Sequence, residues 1–163
     1  DAPDRVDQVL VVAGSCSRVT AAQIEWAKQE GFAEVALDAG HLAAADYSSE
    51  AIEKPTSQIL EDLDSGSSVV VHTSASHLDR LSPNVAVENA AGAASEAAAR
   101  GGRSDRLGGA LGRMVRSVLE QVKVPRVCVA GGDTASCVSR EIAIEAIEMK
   151  CPLTVGAPLC GGK

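Results

Sequence analysis

Aromatic side chains are nearly absent: one Trp, one Tyr and one Phe in 163 residues. The core must therefore be assembled from Val, Ile, Leu and Ala, small aliphatic residues that suit helices packed tightly on a buried parallel sheet. Positive charge is also short. Lys and Arg number 15 against 22 Asp and Glu, a formal net charge of −7. Without a basic stripe or rings on which bases could stack, the chain is not built for nucleic acid polymers. The five cysteines (Cys16, Cys128, Cys137, Cys151 and Cys160) are odd in number, and no pair is spaced C-x-x-C. That argues against a zinc site or a disulfide framework and for reduced cytosolic thiols. No apolar run approaches the ~18 residues of a membrane span, and no signal peptide is visible. The expectation is a cytoplasmic protein with no membrane contact. The first residue is Asp1 rather than Met, and the last stretch is Gly-rich, so the chain reads as a piece of a longer protein.

What is present is an alternation of strands and helices within a length that fits one domain. Residues 8–13 form a continuous apolar run ended by Gly14, which reads as a buried strand. Thr20-Ala-Ala-Gln23 has the capping-box pattern and predicts a helix from there to about Gly31. Further strands are expected at Glu34–Asp38, Ser68–His72, Arg126–Ala130 and Ile144–Met149. Helices are expected at Ser57–Leu63, Leu107–Val122 and Thr134–Ala143. Residues 84–105, rich in Ala, Gly, Ser and Glu, read as a loop or a weak helix, and residues 152–163 as irregular. This order implies βαβ units, hence an α/β fold: a three-layer, mostly parallel, Rossmann-like sheet with helices on both faces. No linker divides the chain, so residues 1–163 are expected to form a single domain.

Ligands of open parallel sheets bind beyond the carboxyl ends of the strands. Two segments lead there from a strand into a helix. In Gly131-Gly132-Asp133-Thr134, two glycines let the backbone turn sharply and approach a ligand closely. The following helix offers free N–H groups and the positive end of its dipole. That combination favours phosphate, and Asp133 adds a carboxylate able to hold Mg²⁺ or an incoming hydroxyl. The plainer alternative makes Asp133 a helix cap and the glycines a simple turn. In Gly14-Ser15-Cys16-Ser17, Ser15 and Ser17 could bond a phosphate or ribose, or merely cap the next helix. Cys16 as a nucleophile is disfavoured, having no His near in sequence.

Other residues carry weaker signals. His72 reads more readily as a core or turn residue than as a ligand contact, His41 and His77 as surface residues, and Lys163 as a solvated terminus. Gly156–Cys160 could line an adenine pocket or act as a covering loop. Neither the G-x-x-x-x-G-K-[ST] loop nor G-x-G-x-x-G after a strand is present, so P-loop NTPases and ordinary dinucleotide dehydrogenases lose ground.

Four stretches taken together are distinctive. They are Val-Ala-Gly-Ser-Cys-Ser (12–17) with Val-Thr-Ala-Ala-Gln-Ile (19–24), Val-Val-Val-His-Thr (69–73), Val-Ala-Gly-Gly-Asp-Thr (129–134), and Ala-Ile-Glu-Met (146–149) leading into Gly-Ala-Pro-Leu-Cys (156–160). In this order the chain resembles the C-terminal nucleotide-binding domain of the four-carbon acid sugar kinases. The resemblance implies an ATP-dependent kinase of two domains. The C-terminal domain would hold ATP or ADP with Mg²⁺, and an N-terminal domain, absent here, would hold a threonate, erythronate or oxo-tetronate. It also implies nucleotide contacts from Ser15 or Ser17 and from Gly131, Gly132, Asp133 and Thr134, with Asp133 catalytic. The isolated chain would then be inactive. The sequence departs from the family at the third-strand exit, Thr73-Ser-Ala-Ser-His77, and in retaining only Gly161-Gly162-Lys163 of a Lys-x-Gly-rich loop. The competing readings are a non-catalytic domain that binds a nucleotide or phosphometabolite, and a redox protein using Cys16. A homo-oligomer is left open.

Overall fold

The computed structural model describes residues 3–14, 17–44, 49–73 and 93–163, and of 93–101 and 103 the backbone alone. The order is β1 (Leu10–Ala13), α1 (Arg18–Gln29), β2 (Ala33–Ala36), α2 (Ala39–Leu42), α3 (Glu50–Asp64), β3 (Val69–His72), α4 (Ala93–Gln121), β4 (Val127–Ala130), α5 (Gly132–Glu141), β5 (Ile147–Thr154) and β6 (Ala157–Gly162). The first four strands form one parallel sheet in the order β2-β3-β1-β4. β5 and β6 form a separate antiparallel hairpin. The α/β reading holds, with helices on both faces of a parallel sheet.

The alternation of side chains along each strand explains the layers. Leu10, Val12, Val69 and Val71 face Ile59 and Leu63 of α3, Leu111, Met114, Val115 and Val118 of α4, and Val138 of α5. Ala13 and Val70 face the other way, onto Ile24 of α1 with Phe32 beside it. Each large aliphatic side chain withdrawn from water in this way contributes roughly 1.5–3 kcal/mol. Aliphatic residues fill most of both layers, with Met114 in one and Phe32 at the side of the other.

Several boundaries differ from the sequence reading. Ser17, not Thr20, caps α1: its Oγ accepts from the Thr20 N–H at 3.0 Å, and Thr20 sits buried one turn inside. Gly31, at φ +90°, ends that helix in the left-handed conformation glycine tolerates. α3 begins seven residues earlier than Ser57 and runs through Pro55. Its buried Thr56, Ile59 and Leu63 hold it to the core, so packing overrides the break that Pro suggests.

Of the two readings of residues 84–105, the helix holds for 93–105, which form the first turns of α4; residues 84–92 lie outside the described residues, as do Cys16 and His77. The fifth strand spans Ile147–Thr154 and leaves the parallel sheet, and residues 157–162, read as irregular, are its hairpin partner. Glu145 and Ala146 donate to the Lys163 carbonyl, and the Lys163 N–H donates to Ala146, closing the base of the hairpin. Among the described residues no helix is long and apolar enough to cross a membrane.

Candidate nucleotide site

All four parallel strands end at one rim, with Ala36, His72, Ala13 and Ala130 in register. The helices that follow β1 and β4 depart to opposite faces, since α1 packs with Ile24 on one and α5 with Val138 on the other. Between those two strand ends the sheet opens into a crevice, the position where parallel sheets bind ligands. A cleft of about 280 Å³ lies there, lined by Gly14, Ser104, Leu107, Gly108, Gly131, Gly132, Asp133 and Thr134.

The turn from β4 into α5 leaves the start of the helix open to the cleft. Gly131 precedes the helix at φ 109°, a conformation open to glycine, and no side chain caps the helix start. The first-turn N–H groups of Gly132, Asp133 and Thr134 therefore have no capping side chain and need another acceptor. A Cβ on Gly132 would meet no atom within 4 Å, so packing does not demand glycine there. A side chain at that position would occupy space at the cleft instead. Asp133 is exposed in the first turn of the helix. No Lys or Arg is among the described lining residues.

Of the residues expected from sequence, Gly131, Gly132, Asp133 and Thr134 come together around this cleft. Ser17 does not line it; its hydroxyl is engaged with the Thr20 N–H and lies 2.8 Å from Thr20 Oγ1. Ser15 lies outside the described residues. Lys163 and the segment Gly156–Cys160 belong to the hairpin and are not among the lining residues.

Four lining residues were not in the expected set: Gly14, Ser104, Leu107 and Gly108. The last three stand on α4, and the available signal was the Gly108-x-x-x-Gly112 spacing. A Cβ on Gly108 would fall 2.6 Å from Cys137 Sγ, and one on Gly112 would fall 2.6 Å from Glu141 Cγ. These glycines bring α4 hard against α5.

His72 is a core residue. It is 2% exposed, and its Nε2 lies 2.9 Å from Glu34 Oε1. The other Glu34 oxygen lies 2.9 Å from Lys28 Nζ, which also meets Glu25. Hydrogen bonding from Lys28, and secondarily from His72, holds the Glu34 carboxyl below the ordinary glutamate range. This chain of charges braces the α1 side of the sheet. Among the described residues, no group of three or more His, Cys, Asp or Glu side chains is arranged to hold a metal.

Residues 10–163 match the family described as the nucleotide-binding C-terminal domain. The chain is 37% identical over 160 residues to the 3-oxo-isoapionate kinase of Paraburkholderia graminis, covering 98% of this chain and 33% of that enzyme. This chain belongs to the nucleotide-binding C-terminal domains of the four-carbon acid sugar kinase family. The domain's fold recurs in a solved Haemophilus influenzae protein, at TM-score 0.68 and 20% identity, over 95% of this chain and 34% of that one. It recurs too in a Bordetella bronchiseptica domain of unknown function, solved with citrate as a domain-swapped dimer. There the TM-score is 0.64 and the identity 19%, over 96% of this chain and 34% of that one. The domain thus spans about a third of the length of each relative.

Proposed function

We propose that this domain binds ATP with Mg²⁺ and, as part of a two-domain kinase, presents the γ-phosphate to a hydroxyl of a four-carbon sugar acid of the threonate, erythronate or oxo-tetronate class. One observation carries the reading: the uncapped first turn of α5 opens on the cleft, with Gly131 at positive φ and Gly132 facing free space. Backbone N–H groups and the helix dipole favour a phosphate there. The kinase relative supports phosphoryl transfer as the chemistry, and its substrate name supports an oxo sugar acid as acceptor.

The donor set fits Mg²⁺ in the manner usual for that ion, which takes one or two carboxylates and completes its shell with substrate phosphates and water. Asp133 is the carboxylate among the described lining residues of the cleft. When bound, the ion would neutralise phosphate charge. Phosphoryl transfer depends chiefly on positioning and charge stabilisation. The domain's own share is therefore to fix the phosphates on the Gly132–Thr134 N–H groups and to set Asp133 beside them. Asp133 then orients or deprotonates the acceptor hydroxyl, or serves as the metal ligand. Ser15, which follows Gly14 directly, is the better of the two serines for a phosphate contact, because Ser17 is committed to its cap. The sugar acid would be held by an N-terminal domain outside this chain, and the activity belongs in the cytoplasm, where ATP is.

Titration of the purified chain with ATP and ADP, with and without Mg²⁺, tests the reading. Saturable binding abolished by Gly132→Val, with circular dichroism unchanged, is the expected result. Equal binding by wild type and Gly132→Val would remove the α5 turn from the site.

A further inference from the structure

The packing of α4 on α5 carries a consequence for the ligand. Gly108 contacts Cys137 and Gly112 contacts Glu141. Four residues on one helix match four on the other in the same direction, so the two helices run side by side and parallel. Extending this register one turn back sets Ser104 level with Asp133. α4 begins at residue 93 and α5 at Gly132. The longer helix therefore continues past the point where the shorter one starts and forms a wall beside its open N-terminus. The glycine pair makes that wall close, because any Cβ at either position would push the helices apart.

Ser104 and Leu107 are the α4 side chains on this wall, above Gly108. Residues three and four apart share a helix face, which places Ser104, Leu107 and Gly108 together. Arg106 points elsewhere, its Nε donating to the Ala43 carbonyl at 2.8 Å and tying α4 to the end of α2. Ser104 is exposed and lines the cleft, and its hydroxyl has no hydrogen-bond partner among the described residues. In a cleft whose described lining carries a carboxylate and no cation, a neutral donor is a gain for an anionic ligand.

We propose that Ser104 is a phosphate-binding residue of this domain: its hydroxyl donates to the phosphate chain held on the first turn of α5. The Gly108–Gly112 contact with α5 sets its distance. The inference rests on the nucleotide reading of the cleft and adds to it a side chain from a different helix, aimed at the phosphates and not at the nucleoside.

The test is calorimetric, on the 163-residue chain, with ATP, inorganic tripolyphosphate and adenosine as separate probes. A hydrogen bond to a charged group contributes about 1.5–3 kcal/mol, which corresponds to roughly 10- to 150-fold in affinity. Ser104→Ala is expected to weaken ATP and tripolyphosphate by the same factor within that range and to leave adenosine unchanged. Ser104→Thr, which keeps the hydroxyl, is expected to restore most of the loss. Ala is a better helix former than Ser, so the fold is retained, and thermal unfolding verifies this. If wild type binds ATP and Ser104→Ala binds it equally well, or if only adenosine binding suffers, the role of Ser104 is overturned while the site stands. If wild type binds neither ATP nor tripolyphosphate, the nucleotide reading fails and this proposal with it.

Discussion

Gly14, at the end of β1, lies directly against Thr134, in the first turn of α5. A Cβ added at Gly14 would collide with Thr134 Oγ1 and lie 3.2 Å from Leu111 Cδ1. The contact joins the two strand ends that border the cleft, so this glycine is required by the protein's own packing. Gly132, whose missing side chain leaves open space, is the opposite case.

That difference predicts opposite phenotypes. Gly14→Ala should destabilise the domain by about 1–3 kcal/mol, the usual cost of overpacking a filled site. It should lower the urea midpoint without changing the slope. Adding Thr134→Ala removes the colliding hydroxyl, so the double variant should lose less than the sum of the two single changes. Simple additivity would show that the two residues do not press on each other in solution.

How much of this was legible beforehand follows from what each signal depends on. The strand runs around Val11 and Val70 were readable because both faces of the inner parallel strands are covered, which leaves a continuous apolar run. The edge strand β4 was readable from its short apolar run bounded by Pro125 and Gly131, although Cys128 is exposed. The Gly131-Gly132 turn was readable because its chemistry is local. The start of α3 was hidden by Pro55, since tertiary packing outweighs a local break. The hairpin was hidden because register shifts between Met149 and Cys151 and between Pro152 and Thr154 disrupt the two-residue period. Its large apolar residues are also exposed: Met149 is 65% accessible and Leu153 51%. The α4 wall was invisible for another reason. Gly108 and Gly112 mean close approach only once Cys137 and Glu141 are known to lie opposite.

The Glu34 carboxylate gives the domain an acid-sensitive brace. Its folded pKa lies below the ordinary value, chiefly through the Lys28 hydrogen bond. Its contribution is therefore complete above the unfolded glutamate pKa, about 4.3, and is lost as pH falls through the lower folded value. The group is partly exposed, with 32% of its side chain accessible, so the ion-pair part is worth at most about 1 kcal/mol. Glu34→Gln should be less stable than wild type near neutral pH by about that much, and the gap should close below about pH 4. Glu34→Ala should cost more, about 1–3 kcal/mol, because it strips the buried His72 Nε2 of its partner. Urea unfolding of the three proteins across this pH range gives the comparison. A gap that widens in acid would contradict the sign.

Asp133 sets an electrostatic problem that the bound ligand must solve. It is an exposed carboxylate in the first turn of α5, lining a cleft proposed to hold a polyphosphate. Two anions at such range repel, and salt screens the repulsion only in part. A cation between them reverses the sign. Asp133→Asn should therefore bind ATP more tightly than wild type in chelator, by about threefold if the relieved repulsion is about 0.65 kcal/mol. If the carboxylate is a metal ligand, the order should invert when Mg²⁺ is added, with wild type gaining far more. If it is instead the base for the acceptor hydroxyl, Mg²⁺ should help both proteins equally. The variant's defect would then appear only in the complete kinase, as a kcat lower by about 10²–10⁴-fold. Identical titrations in chelator and in Mg²⁺, together with unchanged turnover in the complete kinase, would leave Asp133 as a helix-start residue and move the chemistry elsewhere in the cleft.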